Sequence, residues 1–289
     1  MLGLLLTLSF GVGPGSSGSS GPHPQAIGCG AAKPEWLWCD DFEVDRLASY
    51  FEVSGRNGAF GRASGAGMQG SWAMRARFDS GQVDAGALRL AIGRTPQRYF
   101  RSVAAADRDL RDIFWRVWIR YQAGWVGGGG GKLSRATVFS SGDTWAQAAI
   151  AHVWSGGPGN WYLLIDPARG TAPGGRVMTT GYNDFAHLRW IGAARSATPL
   201  FERPDTNWHC VEAHARLNGP GAANGLFELW VDGKPEARRE GLDWVGPYAG
   251  HGWNGVFLEN YWNQGSPKAQ ERYFDNFVVS TRPIGCGDS

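Results

Sequence analysis

From residue 37 to its end, the chain is a succession of short alternating or apolar runs separated by Gly, Pro, Asn and Asp. Such runs are typical of antiparallel β-strands, and the separating residues are typical of turns. Helical patterns are nearly absent, since only the segment 104–111 allows one or two helical turns. Eight strands are predicted, over residues 74–78, 113–121, 148–154, 162–165, 210–217, 226–231, 255–261 and 273–280.

The composition agrees with an all-β domain built around a large core. The 289 residues include 44 Gly, 15 Trp, 14 Phe and 8 Tyr, which is too aromatic for a disordered chain. A net charge of +2 without clustered Lys or Arg argues against nucleic acid as a partner. Because no repeat or change of composition divides residues 29–289, we predict a single antiparallel β-sandwich domain there.

The N-terminal segment has the pattern of an export signal. Residues 2–12 form an apolar run of 11 residues, whereas a membrane-spanning helix needs roughly 20. The run suits the core of a signal peptide, although a truncated start or a cloned leader is the alternative. We predict that residues 1–28 are a leader and a Gly/Ser-rich linker, and that the protein is secreted, extracellular or periplasmic, without stable membrane insertion.

Four cysteines, Cys29, Cys39, Cys210 and Cys286, form no C-x-x-C pair. An even number behind a leader favours two disulfides, for which three connectivities exist. If the first strand pairs with the last, Cys286 lies near Cys29. We therefore predict the disulfides Cys29–Cys286 and Cys39–Cys210, with buried free thiols as the alternative.

The segment 210–231 predicts a hairpin with two unlike faces. Apolar and polar residues alternate on both arms, and residues opposite each other in an antiparallel pair share a face. The apolar set must face the core, so the polar set forms either a solvated surface or a binding groove. That polar face carries Glu212, His214, Arg216, Glu228 and Trp230.

Four segments carry a resemblance to a known family: CDDFE at 39–43, VEAHARLN at 211–218, FELWVDG at 227–233 and YFDNFVVS at 273–280. They resemble the concanavalin A-like lectin/glucanase superfamily, in which a β-jelly roll binds glycans on a concave sheet. Within that superfamily, GGKL at 130–133 is similar to a segment of alginate and glucuronan lyases. The resemblance implies a jelly-roll fold and a uronate-containing polysaccharide as substrate.

In those lyases, the strand after GGKL carries a His or Tyr, one intervening residue and then a Tyr. Here His152 and Trp154 stand at these positions. β-Elimination needs donors that neutralise the uronate carboxylate, together with a base and an acid that move the protons. The resemblance implies that Lys132 and Arg135 neutralise the carboxylate and that His152 is the base. Two tyrosines are candidates for the missing acid, Tyr261 and Tyr273.

Further side chains are expected to hold the sugar chain by stacking or hydrogen bonding. They are Gln147, Trp154, Asn260 and Trp262, together with the polar face of the 210–231 hairpin. On a regular strand Gln147 points away from the His152 face, unless a bulge intervenes.

A non-catalytic carbohydrate-binding or adhesion domain is the second hypothesis, because it needs only such contacts. A glycoside hydrolase ranks third, with Glu212 and Glu228 as its two carboxyls. None of the three hypotheses requires a cofactor. Near the paired ends, Asp40, Asp41 and Asp275 are candidates for a structural Ca²⁺ site, with strand-end capping as the alternative. The oligomeric state is left open.

Overall fold

A computed structural model describes residues 28–127 and 130–287. Short 3₁₀-helices lie at Cys29–Ala31, Leu47–Ser49, Met68–Gly70 and Pro158–Asn160. The strands are β1 (Trp36–Asp40), β2 (Glu52–Ser54), β3 (Phe60–Ala63), β4 (Ala73–Phe78), β5 (Asp84–Ala91), β6 (Asp112–Tyr121), β7 (Gly131–Phe139), β8 (Gln147–Gly156), β9 (Tyr162–Arg169), β10 (Arg189–Trp190), β11 (Ala194–Arg195), β12 (His209–Arg216), β13 (Gly225–Val231), β14 (Lys234–Leu242), β15 (Gly255–Tyr261) and β16 (Gln270–Ser280).

These strands form two antiparallel sheets packed face to face. We call the first the back sheet; its order is β14-β13-β12-β6-β16-β4-β3, with β1 paired to β16. We call the second the cleft sheet; its order is β10-β9-β8-β7-β15-β5-β2, with β11 paired to β9. The predicted antiparallel β-sandwich of the jelly-roll type is confirmed, and each of the eight predicted strands is present. The segment 104–111 forms turns instead of helix.

Large apolar side chains fill the space between the sheets. Trp115, Phe227, Trp244 and Trp253 are fully buried there. Burying side chains of this size stabilises a fold by about 2–3 kcal/mol each. Trp115 of the back sheet also donates from Nε1 to Oγ of Ser134 in the cleft sheet over 3.0 Å, which fixes the two sheets relative to each other.

The hairpin of β12 and β13 has the two faces that its sequence predicts. Ala213 lies opposite Leu229 on the core side, whereas His214 lies opposite Glu228 on the other side. The hairpin belongs to the back sheet. Its polar face therefore lies on the far side of the sandwich from the cleft sheet.

The prediction of two disulfides is confirmed, but the predicted connectivity is wrong. Cys29 pairs with Cys39 and Cys210 pairs with Cys286. The first strand does pair with the last, yet the chain before β1 folds back on that strand. After β16, the chain crosses to β12, where the carboxylate of Glu212 accepts the backbone N–H groups of Ile284 and Gly285. This crossing brings the last cysteine to β12.

The sequence predicts an N-terminal leader at residues 1–28 and no stable membrane insertion. The predicted leader lies outside the described residues, apart from Gly28. Within residues 28–127 and 130–287, no helix has the length and apolarity needed to cross a bilayer.

Candidate functional site

Two bulges bring the predicted cations and amide to one face of the cleft sheet. On β7, Leu133 is an extra residue between the pairs Lys132–Trp154 and Ser134–Val153, so Lys132 shares a face with Arg135 although they are three residues apart. On β8, Ala148 is the extra residue. This second bulge turns Gln147 to the same face as His152, as expected for a bulged strand.

The face carries a cleft of about 170 Å³. Its walls combine cations, acids, amides and phenols: Arg56, Asp84, Arg89, Lys132, Tyr182, Asn183, Glu259, Asn260 and Tyr261. Tyr261 is 38% exposed, and its ring centre lies 4.6 Å from Lys132 Nζ. In the cleft, the ammonium group of Lys132 therefore lies against the ring of the accessible phenol Tyr261.

The cations of the cleft differ in their partners. Arg56 pairs with Asp84 over 2.5 Å, Arg89 pairs with Glu52, and the buried Arg135 beneath the cleft pairs with Glu259 over 2.8 Å. Lys132 forms no such ion pair within the part of the chain that the structure describes. Burial lowers the pKa of Lys132; Arg135 lowers it further, whereas Glu259 raises it. Lys132 is thus a buried, unneutralised cation beside an open cleft.

Arg135 is fully buried and held on several sides. Its Nη1 donates to Oδ1 of Asn183 over 2.7 Å, and Nη2 donates to Tyr182 and to Glu259. Gln147 accepts the backbone N–H of Asn183 over 2.8 Å. Arg135 and Gln147 therefore fasten the loop at 182–183 to the floor of the cleft.

His152 is fully buried below the cleft surface. It lies opposite Arg135 on one side and Asp166 on the other, and its ring stacks on Trp154 with centroids 4.9 Å apart. Neither ring nitrogen has a hydrogen-bond partner among the described residues. Burial, together with the charges of Arg135 and Lys132, holds its pKa well below the usual range. A general base must reach the proton that it removes, and this position does not suit that role.

An aromatic surface covers His152 and continues the cleft. Trp190 and Phe185 are 39% and 48% exposed, and their rings stack with centroids 6.2 Å apart. Trp190 lies against both Trp154 and His152. Exposed aromatic rings offer apolar platforms that suit the faces of sugar rings.

Asn260 lines the inner edge of the cleft, where its Oδ1 accepts a hydrogen bond from the buried Arg272. Several other residues predicted for the groove lie elsewhere. Trp262 is buried in the core, where it stacks on Trp125. Six residues belong to the back sheet instead of the cleft sheet: Glu212, His214, Arg216, Glu228, Trp230 and Tyr273.

Those back-sheet residues have local partners. The His214 ring contacts Glu228 through Nδ1 (2.8 Å) and Asp112 through Nε2 (2.6 Å), and Glu228 also pairs with Arg238. Tyr273 donates to Glu271 over 2.6 Å. Placing these residues in one groove with Lys132 is therefore wrong, because the sandwich core separates them from it.

The candidate Ca²⁺ ligands Asp40, Asp41 and Asp275 accept hydrogen bonds from neighbouring groups of the protein. Asp40 accepts the backbone N–H of Phe42 and the hydroxyl of Tyr50. Asp275 accepts the backbone N–H groups of Met68 and Asn276, and burial raises its pKa to about 7. No group of three His, Cys, Asp or Glu side chains suited to a metal converges within the described ranges. The Ca²⁺ site stays a prediction.

Sequence reasoning missed part of the cleft. Glu259 belongs to the same alternating set as Tyr261 on β15, so the strand pattern could have identified it. Three further missed residues, Arg56, Asp84 and Arg89, come from the turn between β2 and β3 and from β5. The remaining four, Tyr182, Asn183, Phe185 and Trp190, follow β9 in a segment without a strand pattern. Only tertiary folding brings that segment over β8.

Neither a protein-family model nor a curated protein sequence matches the chain. The fold itself is that of the jelly-roll polysaccharide lyases. Among solved structures, the chain is similar to the PL-14 alginate lyase from Aplysia kurodai, with a TM-score of 0.56, 13% identity, and coverage of 86% of this chain and 99% of the other.

Two further structures show the same likeness. Alginate lyase vAL-1 from Chlorella virus has a TM-score of 0.53 at 15% identity, covering 81% of this chain and 94% of the other. The endo-β-1,4-glucuronan lyase from Trichoderma reesei has a TM-score of 0.55 at 13% identity, covering 86% and 96%. At these identities the likeness establishes the fold.

Proposed function

We propose that the protein cleaves a uronate-containing polysaccharide by β-elimination in the cleft of the cleft sheet. The observation that carries the proposal is the contact between Lys132, a buried cation without an ion-pair partner among the described residues, and the accessible phenol of Tyr261. A desolvated ammonium group of this kind is suited to bind a substrate carboxylate. The similarity of the fold to alginate and glucuronan lyases supports the same substrate class.

In this mechanism Lys132 binds the carboxylate of the sugar and offsets the negative charge that develops on it. The phenolate of Tyr261 takes the proton on the carbon next to that carboxylate. The electron pair of the broken C–H bond forms a carbon–carbon double bond as the glycosidic C–O bond breaks. The same phenol then returns the proton to the leaving oxygen, so the enzyme ends in its starting state.

The remaining residues of the site shape the cleft or contact the sugar chain and take no part in proton transfer. Arg135 is paired with Glu259 and holds Asn183, so it shapes the cleft floor instead of taking the carboxylate. His152 supports Trp154 from below. The aromatic surface of Trp190 and Phe185 would stack on sugar units next to the scissile bond.

The test is incubation of the full chain with alginate, with glucuronan and with a heparin-type chain. We expect new ultraviolet absorbance from the unsaturated uronate product on at least one of them, and none on a neutral glucan. An absence of new absorbance on all three acidic chains would overturn the proposal.

A non-catalytic carbohydrate-binding domain is the second candidate. The observation that favours it is Trp154 in the place where a tyrosine acid is expected, above a histidine that is sealed from solvent. Retention on an immobilised acidic polysaccharide without any unsaturated product would favour this candidate. A hydrolase based on Glu212 and Glu228 has less support, since both carboxylates are engaged by neighbouring groups.

We also propose that the protein is exported. Two disulfides support an oxidising compartment, and the apolar run at residues 2–12 suits a signal peptide. The test is expression of the full sequence in a secreting host, followed by mass determination of the protein in the medium. A mature chain that begins near residue 28 is expected, and retention of the full-length chain inside the cell would contradict export.

A further inference from the structure

The outer face of the back sheet carries a second pocket, of about 400 Å³. It lies on the far side of the sandwich from the cleft, because Trp118 and Arg120 of β6 alternate with the core residues Val117 and Ile119. Pockets of roughly 300–1,000 Å³ are typical of small-ligand sites. This pocket is therefore large enough for a bound molecule and has no part in the function proposed for the cleft.

Aromatic rings and one cation form its floor and wall. The guanidinium of Arg120 lies between the rings of Trp208 and Tyr273, at 5.0 and 4.5 Å from their centres. Its Nη2 donates to the carbonyl oxygen of Ala66 over 2.8 Å. Stacking and this bond hold the guanidinium in place, so Arg120 is a fixed part of the wall.

Two N–H donors of residues that line the pocket are closed off from solvent and have no acceptor within the described ranges. They are Nε1 of Trp118, a side chain only 1% exposed, and Nε of Arg120. A buried donor without a partner is unfavourable and rare in folded proteins. A ligand with acceptor oxygens would remove that penalty once the atoms that cover these donors had moved aside.

The rim of the pocket is polar and open. Gln69, Thr206 and Asn207 are exposed on it. A side chain added at Gly65 or Gly70 would meet nothing within 4 Å, and both residues have positive φ angles, of +72° and +82°. None of the described lining residues carries a carboxylate, so the charge of the pocket comes from Arg120.

We propose that this pocket is a second glycan-binding site and that it takes a sugar unit bearing a carboxylate. The sugar ring would stack on Trp208, its hydroxyl oxygens would accept from the rim next to Trp118, and its carboxylate would pair with Arg120. The ligand class follows from the pocket; that the bound chain is also the substrate of the cleft rests on the proposed function. The protein would thus hold one polysaccharide on each face of the sandwich.

The test is titration of the Lys132→Ala variant with a uronate trisaccharide, measured by calorimetry and by NMR of the indole N–H groups. We expect the Trp118 indole signal, assigned with Trp118→Phe, to shift. Adding Trp208→Ala is expected to weaken binding at this site about tenfold. Trp161→Ala is the matched control, since Trp161 is 39% exposed and lies outside this pocket.

A second variant covers the case in which Trp208→Ala does not fold. Thr206→Glu places a carboxylate on the exposed rim, and it should weaken binding of the acidic trisaccharide in a way that added salt reduces. The proposal is overturned if the Trp118 signal does not move, if neither variant changes affinity, or if a neutral trisaccharide binds equally well.

The experiment distinguishes failure of the second site from failure of the cleavage proposed for the cleft. Unsaturated product formed by the wild type without any response of Trp118 would leave the cleft chemistry standing and remove the second site. A shift of the Trp118 indole signal in a protein that forms no unsaturated product would support the second site and remove the chemistry proposed for the cleft. If unsaturated product forms and the Trp118 signal does not move, Trp208→Ala should cleave a short soluble substrate at the wild-type rate.

Discussion

Arg272 of the back sheet donates from Nη2 to the backbone carbonyl oxygen of Lys132 in the cleft sheet, over 2.5 Å. The same guanidinium also donates to the carbonyl of Glu259 and to Oδ1 of Asn260. Arg272 thus ties β7 and β15, the two strands that carry Lys132 and Tyr261, from beneath. Burial lowers its pKa to about 10, so it stays charged at neutral pH.

Replacing Arg272 should loosen this tie. Arg272→Met removes three hydrogen bonds and leaves buried carbonyl groups without a donor, so we expect a loss of about 2–3 kcal/mol of unfolding free energy, measured by urea denaturation. Arg272→Lys keeps the charge but not the forked geometry, and it should fall between the two. A Met variant as stable as the wild type would show that the contacts contribute nothing.

Tyr261 should be needed for turnover and not for folding. Tyr261→Phe keeps the ring beside Lys132 and removes only the hydroxyl, so we expect about a 10²–10³-fold loss of kcat with little change in thermal stability. Tyr273→Phe is the control, because Tyr273 lies on the back sheet. If Tyr273→Phe abolishes activity while Tyr261→Phe leaves it intact, the proposed proton transfer is wrong.

His152 should make the protein sensitive to acid. Its pKa is held far below the ordinary 6.5, so the unfolded chain binds a proton that the folded chain rejects. Stability is then complete above pH 6.5 and falls below it, by up to about 1.4 kcal/mol per pH unit for this one group.

The measurement is the unfolding free energy of His152→Phe and of the wild type between pH 4 and 8, spanning ~2 units around the ordinary histidine value. Phe keeps the stacking on Trp154, and the variant should lose less stability in acid. His187→Gln serves as the control because its side chain is 48% exposed. Parallel pH curves for His152→Phe and the wild type would contradict this reasoning.

His209 should have the opposite dependence on pH. Burial lowers its pKa, but hydrogen bonds from the ring to Asp232 and Asp205 raise it more, and the net pKa lies above 6.5. Its contribution is therefore fully present below pH 6.5 and is lost as the pH rises through the folded-state value.

The corresponding variant is His209→Gln. We expect it to cost about 1 kcal/mol near pH 5.5, since the two carboxylates are partly exposed and screened, and less above pH 8. Thermal melts at the two pH values test this. A penalty that grows with pH would show that the neutral imidazole is the stabilising form.

The two disulfides should differ in their effect on stability. Cys210–Cys286 closes 76 residues and Cys29–Cys39 closes 10. In the chain-entropy model, removing them costs roughly 4–5 and 3 kcal/mol, respectively. Paired Cys→Ser variants, compared by urea denaturation under oxidising conditions, test the order. A larger loss for the short loop would mean that local strain or contacts dominate.

The sequence predicts those features that depend on neighbours along one strand. The alternation at 210–231 gives both faces of the hairpin correctly, because burial of one face fixes the register. The same alternation cannot tell which sheet of a sandwich a strand joins. For that reason Glu228 and Trp230 share a predicted groove with Lys132, although the core separates them.

The cleft depends on contacts that the strand pattern does not encode. Asn183 reaches Arg135 and Gln147 across 48 and 36 residues, and no local signal in the segment after β9 predicts this. The disulfides follow the same rule: the pairing of β1 with β16 is predicted, but the path of the chain beyond each strand decides which cysteines meet.

The extra residue at Leu133 has a consequence for how this segment can change. In a regular strand, Lys132 and Arg135 would lie on opposite surfaces; the bulge lets a four-residue stretch place Leu133 and Ser134 inside and both cations outside. Deleting Leu133 would straighten β7 yet leave both cations facing outward. Inserting a residue there would put the two cations four positions apart, which in a regular strand also leaves them on one face. A change of length by one residue in either direction therefore removes the bulge but keeps the shared face of the two cations.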